Sequence, residues 1–324
     1  MAKAIRIQQP GGPEVLQFED IEVGAPGAGQ ARVRHTAIGI NYIDTYHRTG
    51  TYPLPLPTGI GVEGAGVIEA LGPGVADLAV GDRVAYAGGP VGAYATERVM
   101  PADRLVKIPD GISDQQAAGM MLKGMTAEYL IRRTFKVKAG DTVLWHAAAG
   151  GVGLIACQWL KALGAHVIGT VGSDEKAVLA KAHGCEHPVV YTREDFVARV
   201  KEITGGKGVP VVYDSVGRDT FARSLDCLHL RGMMVLFGAS SGQVPPLDSQ
   251  VLAQKGSLFL TRPTLFTYTA SREDLVLSAT SLFDVVRSGQ VKIEVSRTYP
   301  LAEAQQAHRD LESRKTTGSL LLVP

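Results

Sequence analysis

Residues 142–153 read Thr-Val-Leu-Trp-His-Ala-Ala-Ala-Gly-Gly-Val-Gly. Thr142 to His146 is short, apolar and rich in β-formers, which makes it a candidate buried strand. After it, Val152, Ala156, Trp159, Leu160 and Leu163 recur at helical spacing and form one apolar face. Between strand and helix lies Ala147-Ala148-Ala149-Gly150-Gly151-Val152-Gly153. Glycines in such a turn let the chain reverse tightly, let a pyrophosphate approach the backbone, and let helix and strand pack closely. The helix start then presents N–H groups and the positive end of its dipole to the phosphates. The spacing is AxxGGVG rather than GxGxxG, so a tight turn without a ligand is the plain alternative.

The alternation continues downstream. His166 to Val171 reads as a second strand, followed by a helix from about Asp174 to His183. Val189 to Tyr191 is a third strand, Phe196 to Ile203 a helix, Val209 to Asp214 a fourth strand and Met234 to Gly238 a fifth. Strands alternating with helices in this way imply βαβ units and a parallel sheet covered on both faces. Upstream, residues 1–123 are cut every few positions by Gly and Pro, with β-type runs at Ala31 to Ile40 and Gly66 to Ala70. That pattern predicts a compact β domain of short strands and turns. Beyond about residue 265 come a helix at Ser271 to Ser288, a strand at Val291 to Val295, a helix at Leu301 to Arg314 and a strand at Ser319 to Val323. These pieces are too few for a third domain. The expected division is 1–123, then 124–264, with 265–324 returning to complete the first domain.

The chain has 324 residues, 45% hydrophobic and 20% charged, enough for sizeable cores. Lys plus Arg number 33 against 32 Asp plus Glu, so no bulk charge draws the chain to nucleic acid or an anionic membrane. The three cysteines, Cys157, Cys185 and Cys227, are far apart and odd in number, which fits a reducing compartment rather than a disulfide framework. The opening MAKAIRIQQPGG lacks the apolar core of a signal peptide, and no apolar run approaches membrane-spanning length. A cytoplasmic enzyme is the expectation.

The end of the second strand bears on which dinucleotide is bound. A NAD site places an acid there, about 20 residues past the glycines, to bind the ribose hydroxyls. Here Val171-Gly172-Ser173 occupies the turn, and Lys176 follows one helical turn later. A hydroxyl and an ammonium suit a 2′-phosphate that a carboxylate would repel. Asp174 and Glu175 stand in the first helical turn, where a carboxylate complements the dipole. NADPH is the expected cofactor.

A β domain interrupted by such a βαβ domain resembles the medium-chain dehydrogenase/reductase superfamily. That resemblance implies an α/β fold: a Rossmann doubly wound parallel sheet plus a GroES-like β-rich catalytic domain. Zinc members place a Cys near the end of an early strand and a His-Glu pair in a Gly-rich segment. Asn41 and Val62 stand at the matching positions, neither a usual zinc ligand, and no Cys precedes Cys157. No metal site is expected, and Glu63 reads as a structural hydrogen-bonding residue.

Within the superfamily the chain is similar over essentially its whole length to the bacterial NADPH:quinone oxidoreductases, relatives of zeta-crystallin. The stretches that carry this are Gly11 to Leu16, AIGINYIDTYHRTG (37–50), LKGMTA (122–127), HAAAGGVGLIACQWLKALGA (146–165), VVYDSVGRDT (211–220), QKGSLFLTRPTL (254–265) and ESRKTTGS (312–319). The resemblance implies that Ser173, Lys176, Tyr191 and Arg314 hold the 2′-phosphate. It implies further cofactor contacts from Asn41, Asp44, Thr126, Tyr129, Gly150, Gly151, Val152, Gly172, Ser215, Phe237, Gly238, Ser240, Thr264 and Leu265. For the chemistry it points to Asn41, Tyr46 and Tyr52. Tyr42 stands where Phe is common, and His47 where an aliphatic residue is common, so the pocket's polarity departs from the family's.

The expected activity is metal-free transfer of a hydride, or of electrons, from NADPH to a small quinone. Asn41 and the two Tyr hydroxyls are candidate donors to the developing oxyanion, although a Tyr in a Gly/Pro-rich loop also serves as a packing lid. Two other readings stay open: an alkenal or enone reductase using the same hydride geometry, and an RNA-binding or structural, crystallin-like protein. The near-neutral charge weighs against the latter. A homodimer through an edge strand at Gly256 to Thr261 is also implied.

Overall fold

The computed structural model describes residues 1–313 and 315–324. Two compact units emerge: one of Met1–Met125, Thr269–Arg287 and Ile293–Pro324, the other of Thr126–Tyr268 and Ser288–Lys292.

In the second unit six parallel strands lie side by side in the order His187–Val190, His166–Val171, Thr142–Trp145, Val209–Asp214, Leu228–Leu236 and Phe259–Thr261. Along the chain these are the third, second, first, fourth, fifth and sixth, which is the doubly wound Rossmann order. The order reverses between Thr142–Trp145 and Val209–Asp214, and ligands of open α/β sheets bind at the strand ends beside such a switch. Leu144, Ile168, Val189, Val212 and Met234 are fully or nearly fully buried along the sheet. Residues buried on both faces explain why these strands read as unbroken apolar runs.

The first unit holds a three-stranded sheet, Gln17–Ile21, Ala2–Ile7 and Thr58–Gly59, and a seven-stranded one. The larger runs Val295–Pro300, Ser319–Val323, Gln30–Ile40, Glu63–Leu71, Arg83–Ala87 and Val106–Lys107, with Glu97–Pro101 also paired to Gln30–Ile40. Ile5 of the smaller sheet and Val33, Ile38, Ile68, Val84, Leu320 and Leu322 of the larger pack into one core for the unit. The chain thus combines a Rossmann sheet with a GroES-like β-rich unit.

Several elements differ from the sequence expectation. The strand expected at Val291 to Val295 lies at Val295–Pro300. Its residues Ser296 to Thr298 are exposed, so it shows no inward alternation, whereas buried Val291 lies before it. The fifth parallel strand begins at Leu228 rather than Met234, through an exposed Leu230 and an Arg231 with φ of 60°. The strand expected from Gly256 spans only Phe259–Thr261, because Gly256 and Ser257 both hold positive φ. The helix expected at Leu301 to Arg314 is a 3-10 turn, Leu301–Glu303, followed by an α-helix over Ala304–Glu312; Arg314 itself lies outside the described residues. Two helices, Tyr42–Arg48 and Asp114–Tyr129, stand in a region expected to be strands and turns.

Candidate functional site

The glycine turn sits at the carboxyl end of Thr142–Trp145. Ala147 takes a left-handed φ of 56°, and Gly150 caps the helix Gly151–Ala162 with no side chain over its first N–H groups. Those groups have no partner within a helix and suit an anion. A Cβ on Gly153 would lie 2.4 Å from Ala147 O and 2.6 Å from Ala148 O, so only glycine permits this closeness of helix and strand. Beneath the turn, His146 bridges Thr170 Oγ1 at 2.9 Å and Ser224 Oγ at 2.8 Å. Thr170 Oγ1 also accepts from Ala147 N at 3.3 Å, so the ring of His146 helps hold the bend. With Ser224 donating to Asp214 at 3.3 Å, these buried groups satisfy one another, and His146 reads as structural.

At the second strand's end, Ser173 is the N-cap of Asp174–Ala182 and accepts from Lys176 N at 3.3 Å. A Cβ on Gly172 would lie 3.0 Å from the Tyr191 hydroxyl, which places Gly172, Ser173, Lys176 and the half-exposed Tyr191 around one turn. Partial burial lowers the Lys176 ammonium from its usual range. Asp174 faces a different partner: both its oxygens accept from Arg193, at 2.6 and 2.7 Å, which holds its carboxyl below the usual value. Nothing local in the sequence marks Arg193, 19 positions away, as the partner of Asp174.

The next turns follow the same pattern of close backbone approach. A Cβ on Gly238 would lie 2.5 Å from Ser215 O, and Ser240 N donates to Ser215 O at 3.1 Å. Phe237 packs on Trp145 with centroids 5.5 Å apart. Tyr129, buried, stacks on Tyr268 at 4.5 Å. Thr126 and Leu265 are buried, and Thr264 hydrogen-bonds Thr267 at 3.0 Å.

In the first unit, Asn41 caps the helix Tyr42–Arg48, and its backbone N donates to Asp44 Oδ2 at 2.8 Å. Its side-chain nitrogen donates to Glu63 at 2.8 Å. Asp44 is wholly buried and turns toward Tyr94 at 2.9 Å. Tyr46 and Tyr52 meet edge to face at 5.2 Å, and Tyr52 N donates to Tyr46 O at 3.0 Å. Tyr42 joins this cluster at 6.3 Å from Tyr46, and His47 at 6.2 Å from Tyr52. Val62 is buried beside Glu63. Among the described residues no group of three or more His, Cys, Asp or Glu is placed to hold a metal ion, and no helix is long and apolar enough to cross a membrane.

The second unit's turns therefore fit a phosphorylated dinucleotide. The features that suit one are a bare helix start, a Cβ-free cradle, and a Ser-Lys-Tyr turn whose neighbouring acids Asp174 and Glu175 are bonded to Arg193 and Ser173.

Residues 27–110 match the alcohol dehydrogenase GroES-like domain family, and residues 151–275 match the zinc-binding dehydrogenase family. The chain is 52% identical to a quinone oxidoreductase of Pseudomonas aeruginosa over 100% of both chains. It is 48% identical to a 2-haloacrylate reductase of a Burkholderia species, over 100% of this chain and 99% of that one. A crystal structure of Escherichia coli quinone oxidoreductase complexed with NADPH, 51% identical, superposes with a TM-score of 0.98 over 99% of this chain and 100% of that one. The chain belongs to the zinc-free quinone oxidoreductase group of the medium-chain dehydrogenase/reductase superfamily.

Proposed function

We propose that this chain is an NADPH-dependent quinone reductase that works without a metal. The observation that carries the reading is full-length identity of about half with quinone oxidoreductases, one of them solved with NADPH. The turn of Gly172, Ser173, Lys176 and Tyr191, where Arg193 engages Asp174 and Ser173 engages Glu175, supports NADPH over NADH through its hydroxyls and ammonium. In this reading residues 124–264 carry the cofactor, and 1–123 with 265–324 carry the chemistry. The balanced charge and buried, unpaired cysteines support a cytoplasmic location.

Bound NADPH supplies the hydride. The rest falls to the chain's own side chains. A quinone is already electrophilic, since gaining a hydride makes it an aromatic hydroquinone anion, so orientation and modest electrostatic help suffice. Asn41 donates a hydrogen bond to the oxygen that gains charge, with the hydroxyls of Tyr46 and Tyr52 as further donors. The aromatic cluster around Tyr46 shields the reacting face from water. Gly150 to Gly153 hold the pyrophosphate, and Ser173, Lys176 and Tyr191 the 2′-phosphate, with Arg314 as a fourth ligand.

The 2-haloacrylate reductase relative favours a second reading, reduction of a C=C bond conjugated to a carbonyl. Comparing kcat/KM for 1,4-benzoquinone with that for a 2-alkenal separates the two. Higher values for the quinone support our assignment, and the reverse order overturns it.

The chain's assembly is part of the same proposal. The sheet ends on Phe259–Thr261, an edge strand whose Phe259 and Leu260 are 58% and 38% exposed. An open edge with apolar side chains suits pairing with a second copy.

A further inference from the structure

Asn41 carries much of the proposed chemistry, and its amide is held in one direction. Glu63 Oε2 accepts from Asn41 Nδ2 at 2.8 Å and from the Lys123 ammonium at 3.3 Å, while Oε1 accepts from Leu122 N at 2.7 Å. Glu63 is 0% exposed and Lys123 6%. The three groups that hydrogen-bond this carboxylate are all donors. Rotating the Asn41 amide would set its carbonyl oxygen against a carboxylate oxygen in a place closed to water, which is costly. The carboxylate also occupies space that a side chain at position 39 would fill: a Cβ on Gly39 would lie 2.1 Å from Glu63 Oε2 and 2.3 Å from Ala118 O. A buried ion pair contributes little net stability over an apolar replacement, so a role in fixing one conformation accounts better for its presence.

We infer that Glu63, paired with Lys123, is a positioning residue that fixes Asn41 with its nitrogen toward the carboxylate. The amide's second N–H is then the donor it offers a substrate oxygen. The inference rests on the role proposed for Asn41 above. Glu63 touches no substrate in this account and acts through Asn41.

A double-mutant cycle of Glu63→Gln and Asn41→Ala tests it, read by stopped-flow hydride transfer to 1,4-benzoquinone at saturating NADPH. Glutamine keeps the size but can present either end of its own amide, so Asn41 loses its fixed direction. Glu63→Gln should slow the hydride step at saturating NADPH roughly tenfold, the scale of one lost hydrogen bond. In the Asn41→Ala background it should cost nothing more, because the residue through which it acts is gone. Losses that multiply in the double variant, or a full rate in Glu63→Gln, overturn the inference.

A second readout needs no activity. With selective 15N labelling of asparagine, and Asn41→Ala for assignment, one proton of the wild-type Asn41 amide pair should be displaced downfield by the carboxylate. An undisplaced pair overturns the inference even where Glu63→Gln fails to fold. A protein that reduces quinones through Asn41 but ignores Glu63 refutes the positioning role alone. One that oxidises no NADPH with any quinone refutes the proposed function, and the amide signal still decides the positioning.

Discussion

Tyr94 donates a hydrogen bond to Asp44 Oδ2 at 2.9 Å, and its oxygen lies 3.1 Å from His308 Nε2. The direction of this chain follows from its far end. Arg48 can only donate, so His308 Nδ1, 2.9 Å from its Nη1, is an acceptor. Burial first, and the Arg48 charge second, push His308 down to about 3, so the neutral ring carries its proton on Nε2 and passes a hydrogen bond to Tyr94. Arg48 is anchored in turn by both oxygens of Glu312, at 2.8 and 3.0 Å. Every link points toward Asp44, beneath the segment that carries Asn41.

Burial pushes the Asp44 carboxyl up to about 7, against hydrogen bonds from Asn41 and Tyr94 and the charge of Lys123, with Glu63 adding to the rise. Its other oxygen, Oδ1, is buried without a partner among the described residues. Because the folded value lies above the unfolded one near 3.8, this group's contribution to stability is full below about 3.8 and is lost as pH rises through 7. Asp44→Asn removes that dependence. Urea denaturation at pH 5 and pH 8 should show the wild type losing stability relative to the variant, by on the order of a few kcal/mol. Parallel pH curves for the two proteins would mean that Asp44 titrates normally.

Lys176→Ala tests the cofactor turn. A hydrogen bond to a charged group contributes roughly 1.5–3 kcal/mol, and each 1.4 kcal/mol is about tenfold in affinity. NADPH binding, followed by nicotinamide fluorescence, should weaken by about one to two orders of magnitude, while NADH binding changes little. Equal losses for both dinucleotides would make Lys176 a purely structural residue.

Tyr46→Phe keeps the ring against Tyr52 and removes the hydroxyl. A neutral hydrogen bond contributes about 0.5–1.5 kcal/mol net, so the hydride step should slow several-fold with NADPH affinity intact. Tyr46→Ala should raise the apparent quinone KM as well, by deleting the aromatic wall. Single-turnover kinetics separates these effects from product release. Unchanged rates in both variants would leave the oxyanion to Asn41 and Tyr52.

Light scattering at micromolar concentration should give twice the mass of one chain. Leu260→Lys, which sets a charge on the exposed edge strand, should shift the protein toward monomer. A monomeric wild type would remove the sheet edge as an interface.

The parallel sheet was legible because its strands are buried on both faces and bounded by glycine. His166–Val171 and Val209–Asp214 lie where their apolar runs do. The helix Asp114–Tyr129 escaped the same reading for a related reason. Ala117, Ala118, Met120, Met121, Met125 and Ala127 are all fully buried, Gly124 packs on Leu282, and no polar stripe is left to show a period. Its one readable mark was the reciprocal cap of Ser113 and Gln116, at 3.0 and 3.1 Å. The glycine turn was visible as local spacing, whereas Ser173, expected as a phosphate ligand, also caps its helix by accepting from Lys176 N. Contacts such as Arg193 with Asp174 or Tyr94 with His308 join residues far apart in the chain, and no local pattern announces them.

The most direct test of the whole account is NADPH oxidation by chelator-treated protein with 1,4-benzoquinone, measured at 340 nm beside the same assay with NADH. We predict quinone-dependent, saturable oxidation that survives prolonged chelation, because Asn41 and Val62 stand where zinc ligands would, with a clear preference for NADPH. Absence of quinone-dependent oxidation, or activity that returns only when zinc is added back, would contradict it.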